Sequence, residues 1–337
     1  MTVKRYSLVL ALAFLIGSLL PLNLANAVTM SPIRLELSAD PGDQTSGIVK
    51  VYNDDRTERT LYLSVAKFES KDESGQPMFV DGTDQLVEWI DIAPSIVVPP
   101  QESKEVPFTV SIPKDVDPGG YFAAIFASVI PPAPGEGMVA VQSDVGTLLL
   151  FRVNGEFPEG EAVLEFSTKD KKKVYNHLPV EFYYRFQNSG ADRARPLGDI
   201  TIRNTVGRIS KIISANQGAG NVLPQSIRRF ETAWVTAGGD KVEVNHDVVK
   251  DPELKSFWEA VKYQASNFAL GYYSADLQLT VNNDASRTYL KNTSFWVIPW
   301  QLLLVILAII LIFVLPLLIL FGAILIYFRR RKAKRKQ

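Results

Sequence analysis

The chain has 337 residues, no cysteine, and equal numbers of basic and acidic residues, 36 of each. The absence of cysteine excludes disulfides, zinc–thiolate sites and cysteine nucleophiles. Two cations lie at 4–5 and seven in the last nine residues, which leaves 27 basic against 36 acidic residues between the ends. This acidic middle part argues against nucleic-acid binding by bulk charge.

Residues 1–27 have the pattern of a secretory signal peptide. Lys4 and Arg5 precede an apolar core at 8–20, and a small-x-small cleavage site ends at Ala27. An uncleaved anchor is the alternative, but the apolar core is short for a bilayer span. The sequence therefore predicts export, with cleavage after Ala27.

Short alternating or β-branched runs, separated by Pro, Gly, Asn and Asp, follow the signal peptide. This spacing is typical of β-sandwiches, and we predict an all-β fold: two tandem immunoglobulin-like β-sandwiches, at 28–155 and 156–296, followed by a single transmembrane helix. One helical pattern interrupts the second series near 252–265. Asp251 and Pro252 have the residue types of an N-cap and a first helical position, so we predict an inserted amphipathic helix there.

The two strand series share three turn features in the same order, although turns in unrelated sandwiches draw on the same residues. These are an asparagine after a strand, a proline–glutamine corner and a glycine before an aromatic strand: Asn53, 98–101 and Gly120 in the first series, Asn188, 222–225 and Gly271 in the second. The strand after Gly120, YFAAIFASV, is apolar on both faces and is too short to be a membrane helix. We predict that it is covered on both sides, and that its counterpart, YYSADLQLTV, has one wet face.

Chemically reactive constellations are sparse. His177 and His246 lie near predicted turns without a partner motif, and 217–221, QGAGN, lacks the lysine of a phosphate-binding loop. Acidic residues such as Asp72 and Glu88 fall in turn-rich stretches. We predict no catalytic, cofactor-binding or metal-binding residue, and no enzymatic activity. A membrane-tethered hydrolase would need two carboxylates about 5 to 10 Å apart in a cleft.

Some aromatic residues and one loop are candidates for binding. Trp89 and the strand aromatics Phe182, Tyr183, Tyr184 and Phe186 could form a recognition surface. Core packing is the stronger expectation, because strand aromatics usually fill an interior. The Pro- and Gly-rich loop at 131–137 could be a recognition tip or a plain hairpin connection.

The C-terminal part has the pattern of a membrane span with an orientation signal. We predict a transmembrane helix at 297–328, kinked at Pro316, with Phe295, Trp296 and Trp300 forming an aromatic belt. The basic tail at 329–337 follows it directly and predicts a cytoplasmic C-terminus and extracytoplasmic domains. The residues of this topology signal are Arg329, Arg330, Arg331, Lys332, Lys334, Arg335 and Lys336.

The whole layout resembles the bacterial surface proteins called WxL-interacting proteins. The resemblance rests on SPIRLELSADPGDQTSGIVKVYN at 31–53 and PGGYFAAIFAS at 118–128, together with the signal peptide, the span and the tail. It implies a first domain that binds peptidoglycan and a second that binds a host. The opening strands are also similar to the first domain of periplasmic pilus chaperones, which are immunoglobulin-like sandwiches.

The main prediction is a membrane-anchored cell-surface binding protein that holds a protein partner or a cell-wall polymer. Its partners would be membrane lipid, through the span, and another envelope protein or peptidoglycan, without nucleic acid or a cofactor. The alternative is a chaperone-like assembly factor that acts on exported proteins by strand addition. In the first predicted strand Ile33, Leu35 and Leu37 alternate with Arg34 and Glu36. An unpaired edge strand in the first domain with alternating apolar residues facing out would favour the alternative, and a fully covered edge would count against it.

Overall fold

The computed structural model of the protein describes residues 28–80, 85–131, 145–235 and 254–334. The predicted signal peptide and most of the loop at 131–137 lie outside these residues, as do His246, the predicted helix start at Asp251 and Pro252, and Arg335 and Lys336.

The chain divides into two compact units. The first contains the described residues up to Lys67 and those within Phe79–Val116 and Tyr121–Val153. The second contains the rest, including Phe68–Met78 and Asp117–Gly120. The fold is mostly β-sheet, as predicted.

The first ten strands and one short helix belong largely to the first unit. They are β1 (Val28–Ser31), β2 (Arg34–Ala39), β3 (Gln44–Asn53), β4 (Arg59–Ser70), β5 (Pro77–Val80), α1 (Leu86–Trp89), β6 (Ile90–Ile92), β7 (Ser95–Val98), β8 (Ser103–Ser111), β9 (Gly119–Ser128) and β10 (Val145–Val153). One sheet has the order β1-β3-β8-β6, and the other has the order β2-β10-β9-β4-β5, with β7 also on β4. Inward side chains of both sheets form one core that includes Val49, Phe108, Ile125 and Phe151.

The central strand β9 is buried on both faces, as its composition predicts. Ala123, Ile125 and Ala127 face the core between the sheets. The residues between them, Ala124 and Phe126, are also buried, and the Phe126 ring contacts Phe79 with centroids 4.8 Å apart. A strand can therefore be apolar throughout because it is covered twice.

The second unit contains eight more strands and the long helices. They are β11 (Glu161–Thr168), β12 (Val174–Tyr175), β13 (Val180–Asn188), β14 (Pro196–Asn204), β15 (Ile209–Ser214), β16 (Ser226–Trp234), α2 (Phe257–Ser266), β17 (Gly271–Val281), β18 (Asp284–Val297), α3 (Trp300–Ile309) and α4 (Leu315–Lys334). A three-stranded sheet, β11-β13-β16, faces a five-stranded one, β12-β18-β17-β14-β15. Their shared core is rich in aromatics such as Phe182, Tyr184, Phe186 and Phe295. In β17 buried residues alternate with more exposed ones, as predicted.

The first repeated corner is organised by the buried Asn53. Its Nδ2 donates to Thr57 O at 2.9 Å and to Val98 O at 3.1 Å, and its Oδ1 accepts from Asp55 N at 3.0 Å. Gln101, which ends the proline–glutamine corner, has a left-handed backbone with φ of 56°. One side chain thus ties the end of β3 to the corner after β7.

The second corner has equivalent bonds, and its two local partners have the same spacing from the asparagine. Asn188 Nδ2 donates to Asp192 O at 2.8 Å and to Val222 O at 2.9 Å, and Oδ1 accepts from Gly190 N at 2.9 Å. Gln225 again has a left-handed backbone, with φ of 53°. The two motifs read from the sequence therefore form equivalent hydrogen-bonded corners.

The correspondence of Gly120 with Gly271 is wrong by one residue. Tyr121 and Tyr273 are the first aromatic residues that pack against the respective cores. Since side chains alternate along a strand, Gly119 corresponds to Gly271, and their φ angles of 146° and 122° agree. The sequence alone could not decide between them, because Gly119 and Gly120 both precede the aromatic strand.

One predicted element boundary also needs correction. The inserted helix begins at Phe257, because Ser256 Oγ accepts from Glu259 N at 3.2 Å while Glu259 Oε2 accepts from Lys255 N at 3.0 Å. Ser-x-x-Glu is the sequence of a capping box, although Glu259 here accepts from the residue before the N-cap, and this signal was missed in the sequence.

The predicted span is helical, but it starts later and continues further than predicted. Val297 belongs to β18, Pro299 is the N-cap, and the helix begins at Trp300. A π-helical turn at Ile310–Val314 precedes Pro316. It lies where the ring of a proline obstructs the ordinary helical hydrogen bond. The helix continues through 329–334, so these tail residues extend it.

Candidate functional site

The outermost strand of the six-stranded sheet, β2, is the candidate site, and we call it the β2 edge. It pairs in parallel with β10, from Arg34 opposite Leu148 to Ala39 opposite Val153. No described strand pairs with its other side. The β2 edge is six residues long and has no bulge in its register.

The peptide groups of the β2 edge alternate in direction along the strand. Leu148 N donates to Ile33 O at 2.9 Å, which fixes the phase of the ladder with β10. In a parallel pair alternate residues direct both peptide groups to the partner. Arg34, Glu36 and Ser38 therefore direct their N–H and C=O groups away from β10, toward the open side.

The side chains beside these groups alternate between apolar and polar. Leu35, Leu37 and Ala39 face the core but are only partly buried, because no described strand covers them from the open side. Ile33, immediately before the strand, is 79% exposed. An incoming extended segment would find hydrogen-bonding groups together with an apolar strip in which its own alternate side chains could lie.

The polar side chains on the outer face are paired with each other. Arg34 Nε and Glu36 Oε1 are 3.3 Å apart, and both side chains are about one-third exposed. A partly exposed pair of this kind adds little stability. It leaves the β2 edge with opposite charges two residues apart and no net charge.

The long edges of the second unit carry a lysine on the core face. In β15, Lys211 is opposite the buried Ile202. In β18, Lys291 is opposite the buried Leu277. Residues opposite each other share a face, so both lysines lie on the core-facing side of the sheet at an edge, Lys211 partly buried and Lys291 exposed. Inward charges are a known way to prevent strand pairing.

The remaining edges of the second unit are disturbed or occupied. In β11 the register shifts between Val163 and Glu165, which is a bulge. In β16, Arg229 N donates to Glu73 O at 2.7 Å, so part of this edge already has a partner. The other described edge strands of the first unit, β1, β5, β6 and β7, have four residues or fewer.

The predicted aromatic candidates belong to the cores. Trp89 is buried with its ring centroid 4.9 Å from that of Tyr121. The strand aromatics Phe182, Tyr184 and Phe186 are fully buried, and Tyr183 is 5% exposed. Core packing was the stronger expectation, and it is confirmed.

The described histidine and acidic candidates make ordinary structural contacts. His177 Nδ1 lies 2.9 Å from Leu178 O, and its ring is 5.5 Å from that of Tyr263. Asp72 is exposed in a turn, where it accepts a bond from Ser74 N at 2.7 Å. Among the described residues no group of His, Asp and Glu could hold a metal ion. The absence of enzymatic activity stays a prediction.

One polar cluster joins β11 to β13. The Lys171 ammonium lies 2.7 Å from Glu165 Oε1, and Tyr183 Oη donates to the same oxygen at 2.7 Å. Lys171 first, and Tyr183 second, hold the pKa of Glu165 below its usual value, while burial raises the pKa of Tyr183. These opposed charges neutralise each other, so the cluster supports the sheet and provides no nucleophile.

The predicted aromatic belt is only partly present. Trp296 and Trp300 are about half exposed, but Phe295 is fully buried in the core of the second unit. Phe295 faces inward because it lies opposite Tyr273 in the β17–β18 ladder. Alternation along the last strand therefore removes Phe295 from any belt.

No family model matches the chain, and no curated protein matches it. Several solved structures do match. The class 5 fimbriae chaperone CfaA is 13% identical with a TM-score of 0.37, over 79% of this chain and 99% of CfaA. The Pseudomonas aeruginosa chaperone CupB2 is 10% identical with a TM-score of 0.32, over 80% and 100% of the two chains. The E. coli chaperone DraB is 12% identical with a TM-score of 0.31, over 80% and 95%.

These findings correct the main functional prediction. The main prediction was a membrane-anchored cell-surface binding protein that holds a protein partner or a cell-wall polymer. The matching chains are chaperones instead. The predicted alternative, a chaperone-like assembly factor, stays a prediction. The resemblance to WxL-interacting proteins and the binding of peptidoglycan are untested and stay predictions.

Proposed function

We propose that this protein is a chaperone-like assembly factor that binds exported proteins by strand addition at the β2 edge. The observation that supports the proposal is the contrast among edges. The β2 edge is regular and beside partly buried apolar side chains, whereas β15 and β18 carry inward lysines and β11 carries a bulge. Strand addition needs such an open, regular edge.

The client would be an extended segment with apolar residues at alternate positions. Its backbone would bond to Arg34, Glu36 and Ser38, and its apolar side chains would lie against Leu35 and Leu37. Main-chain bonds give such complexes affinity without sequence specificity, and the strip of side chains selects the alternation.

The decisive variant is Glu36→Pro, with Glu36→Ala as its matched control. Proline removes the outward N–H of Glu36, and proline is found in sheets on edge strands such as this one. Alanine removes the pairing with Arg34 but keeps the N–H. A difference between the two variants therefore isolates the backbone donor from the side chain.

The experiment uses the full chain in detergent as bait for proteins of the envelope extract, followed by amide hydrogen exchange on the complex. We expect a captured exported protein to slow exchange in Arg34–Ala39, Glu36→Pro to abolish capture, and Glu36→Ala to retain it. Capture that survives proline, or that leaves exchange in β2 unchanged, would contradict the proposal.

We also propose that the helix at Trp300–Ile326 crosses a bilayer and that the two units are tandem immunoglobulin-like domains outside it. The helix has 27 residues, and an 18-residue window within it has a mean hydropathy of 3.6 and is not buried by the described part of the chain. At about 1.5 Å per residue it spans about 40 Å, more than the hydrocarbon core of about 30 Å. Protease protection of the tail in sealed vesicles, with digestion of the domains from outside, tests this orientation.

A further inference from the structure

The inserted helix α2 is tied to the first turn of the proposed membrane helix. Gln264 in α2 is fully buried. Its Oε1 accepts from Leu302 N at 2.9 Å, and its Nε2 donates to Gln301 Oε1 at 2.5 Å. The first N–H groups of a helix have no partner within it, so Gln264 satisfies one that Pro299 cannot cap. This contact fixes α2 at the level where the helix begins.

One side of α2 is apolar and exposed in the described part of the chain. Ala260 and Gln264 form its buried face. At 100° per residue Phe257, Trp258 and Ala265 fall on the neighbouring stripe, and Trp258 is 68% exposed. Charged and hydroxyl residues, including Lys262 and Ser266, occupy the far side. A helix with this division is typical of membrane interfaces.

The apolar stripe continues beyond α2 and reaches the membrane helix. Phe268 and Leu270 follow the helix and are about half exposed. At the other end of α2, the ring of Phe257 lies 6.4 Å from that of Trp300, the first residue of α3. Together, Phe257, Trp258, Ala265, Phe268, Leu270 and Trp300 form what we call the collar.

We infer that the collar lies in the outer headgroup layer of the bilayer, so that α2 is an interfacial helix that seats the second unit on the membrane. The inference rests on the proposed membrane span. We expect lipid to cover the collar because the collar adjoins the proposed span. A helix that enters a bilayer at Trp300 places lipid around the residues of its first turn. Tryptophan and phenylalanine beside the entry point match the polarity of that layer.

Because the chain has no cysteine, single cysteines can be labelled without altering the background. Ala265→Cys and Ser266→Cys form a matched pair of exposed neighbours, one in the collar and one on the polar side. Leu304→Cys reports the span, and Ser111→Cys on exposed β8 reports water. Each full-length variant is labelled with nitrobenzoxadiazole and reconstituted in phosphatidylcholine–phosphatidylglycerol vesicles that contain lipid spin-labelled near the headgroup.

We expect a blue-shifted emission and a strong loss of intensity to the spin label at positions 265 and 304, and neither change at 266 and 111. Quenching at 304 without quenching at 265 would overturn the collar while leaving the span intact. No quenching at either position would overturn the span and the collar together. A label at 265 that is shielded from aqueous quencher but insensitive to labelled lipid would show that protein covers the collar, which also overturns the inference.

Discussion

Asn188→Ala should destabilise the second unit far more than the size of the change suggests. Asn188 is 1% exposed and makes all three of its corner bonds with backbone atoms of Asp192, Val222 and Gly190. Alanine removes all three bonds without supplying a substitute. The carbonyl groups of Asp192 and Val222 are then left inside the protein without this donor.

The expected loss follows from the number of bonds. Each buried hydrogen bond contributes about 1 kcal/mol net, so three give a loss of about 3 kcal/mol in the free energy of unfolding. Asn188→Asp should cost at least as much, because it keeps the acceptor for Gly190 N but places an anion against two carbonyl oxygens. Asn292→Ala is the control, because Asn292 is exposed on β18.

Amide hydrogen exchange on the full chain measures the loss where it occurs. A loss of about 3 kcal/mol makes exchange in β13 and β14 faster by about 100-fold, since 1.4 kcal/mol is a factor of ten. Asn292→Ala should leave these rates unchanged. If Asn188→Ala costs less than about 1 kcal/mol, the corner is held by its turn backbone and not by the asparagine.

Three further substitutions test other features. Glu165→Gln should flatten the pH dependence of thermal unfolding. Lys171 lowers the pKa of Glu165 in the folded protein, so Glu165 stabilises the fold above the usual pKa of 4.5. This stabilisation is lost as the pH falls through the folded pKa. Gly198→Ala should cost about 3 kcal/mol in urea unfolding, because a Cβ would lie 2.0 Å from Gln278 O at a φ of 152°. Lys211→Val should increase self-association in sedimentation, because it removes the inward charge from an open edge.

Much of the fold could be predicted because its signals are local. The strand pattern, the asparagine corners and the double burial of β9 all depend on residues within one strand or turn. The helix start was misplaced because two acceptable caps compete, Asp251 followed by proline and Ser256 with Glu259, and only tertiary packing selects between them. Phe295 was misassigned for a related reason, since its aromatic neighbours suggested a belt while strand alternation turned it into the core.

The candidate site could be predicted only in part. The alternation from Ile33 to Leu37 indicated a strand, but no sequence signal says that β2 lies outermost, because its partner β10 is more than a hundred residues away. The orientation of the two edge lysines could not be predicted either. Lys211 and Lys291 look like ordinary surface residues until the pairing with Ile202 and Leu277 fixes which way they face. Edge position and facing direction are properties of the sheet.

An open edge is normally a liability, because it can pair with any other strand. This chain places lysines inward at β15 and β18 and a bulge in β11, yet leaves the β2 edge regular. If the open edge had no role, Glu36→Pro would only reduce self-association of the free protein. If the edge receives a client, the same substitution should lower self-association and also abolish capture. We therefore expect Glu36→Pro to lower both self-association and capture, and Glu36→Ala to leave both unchanged.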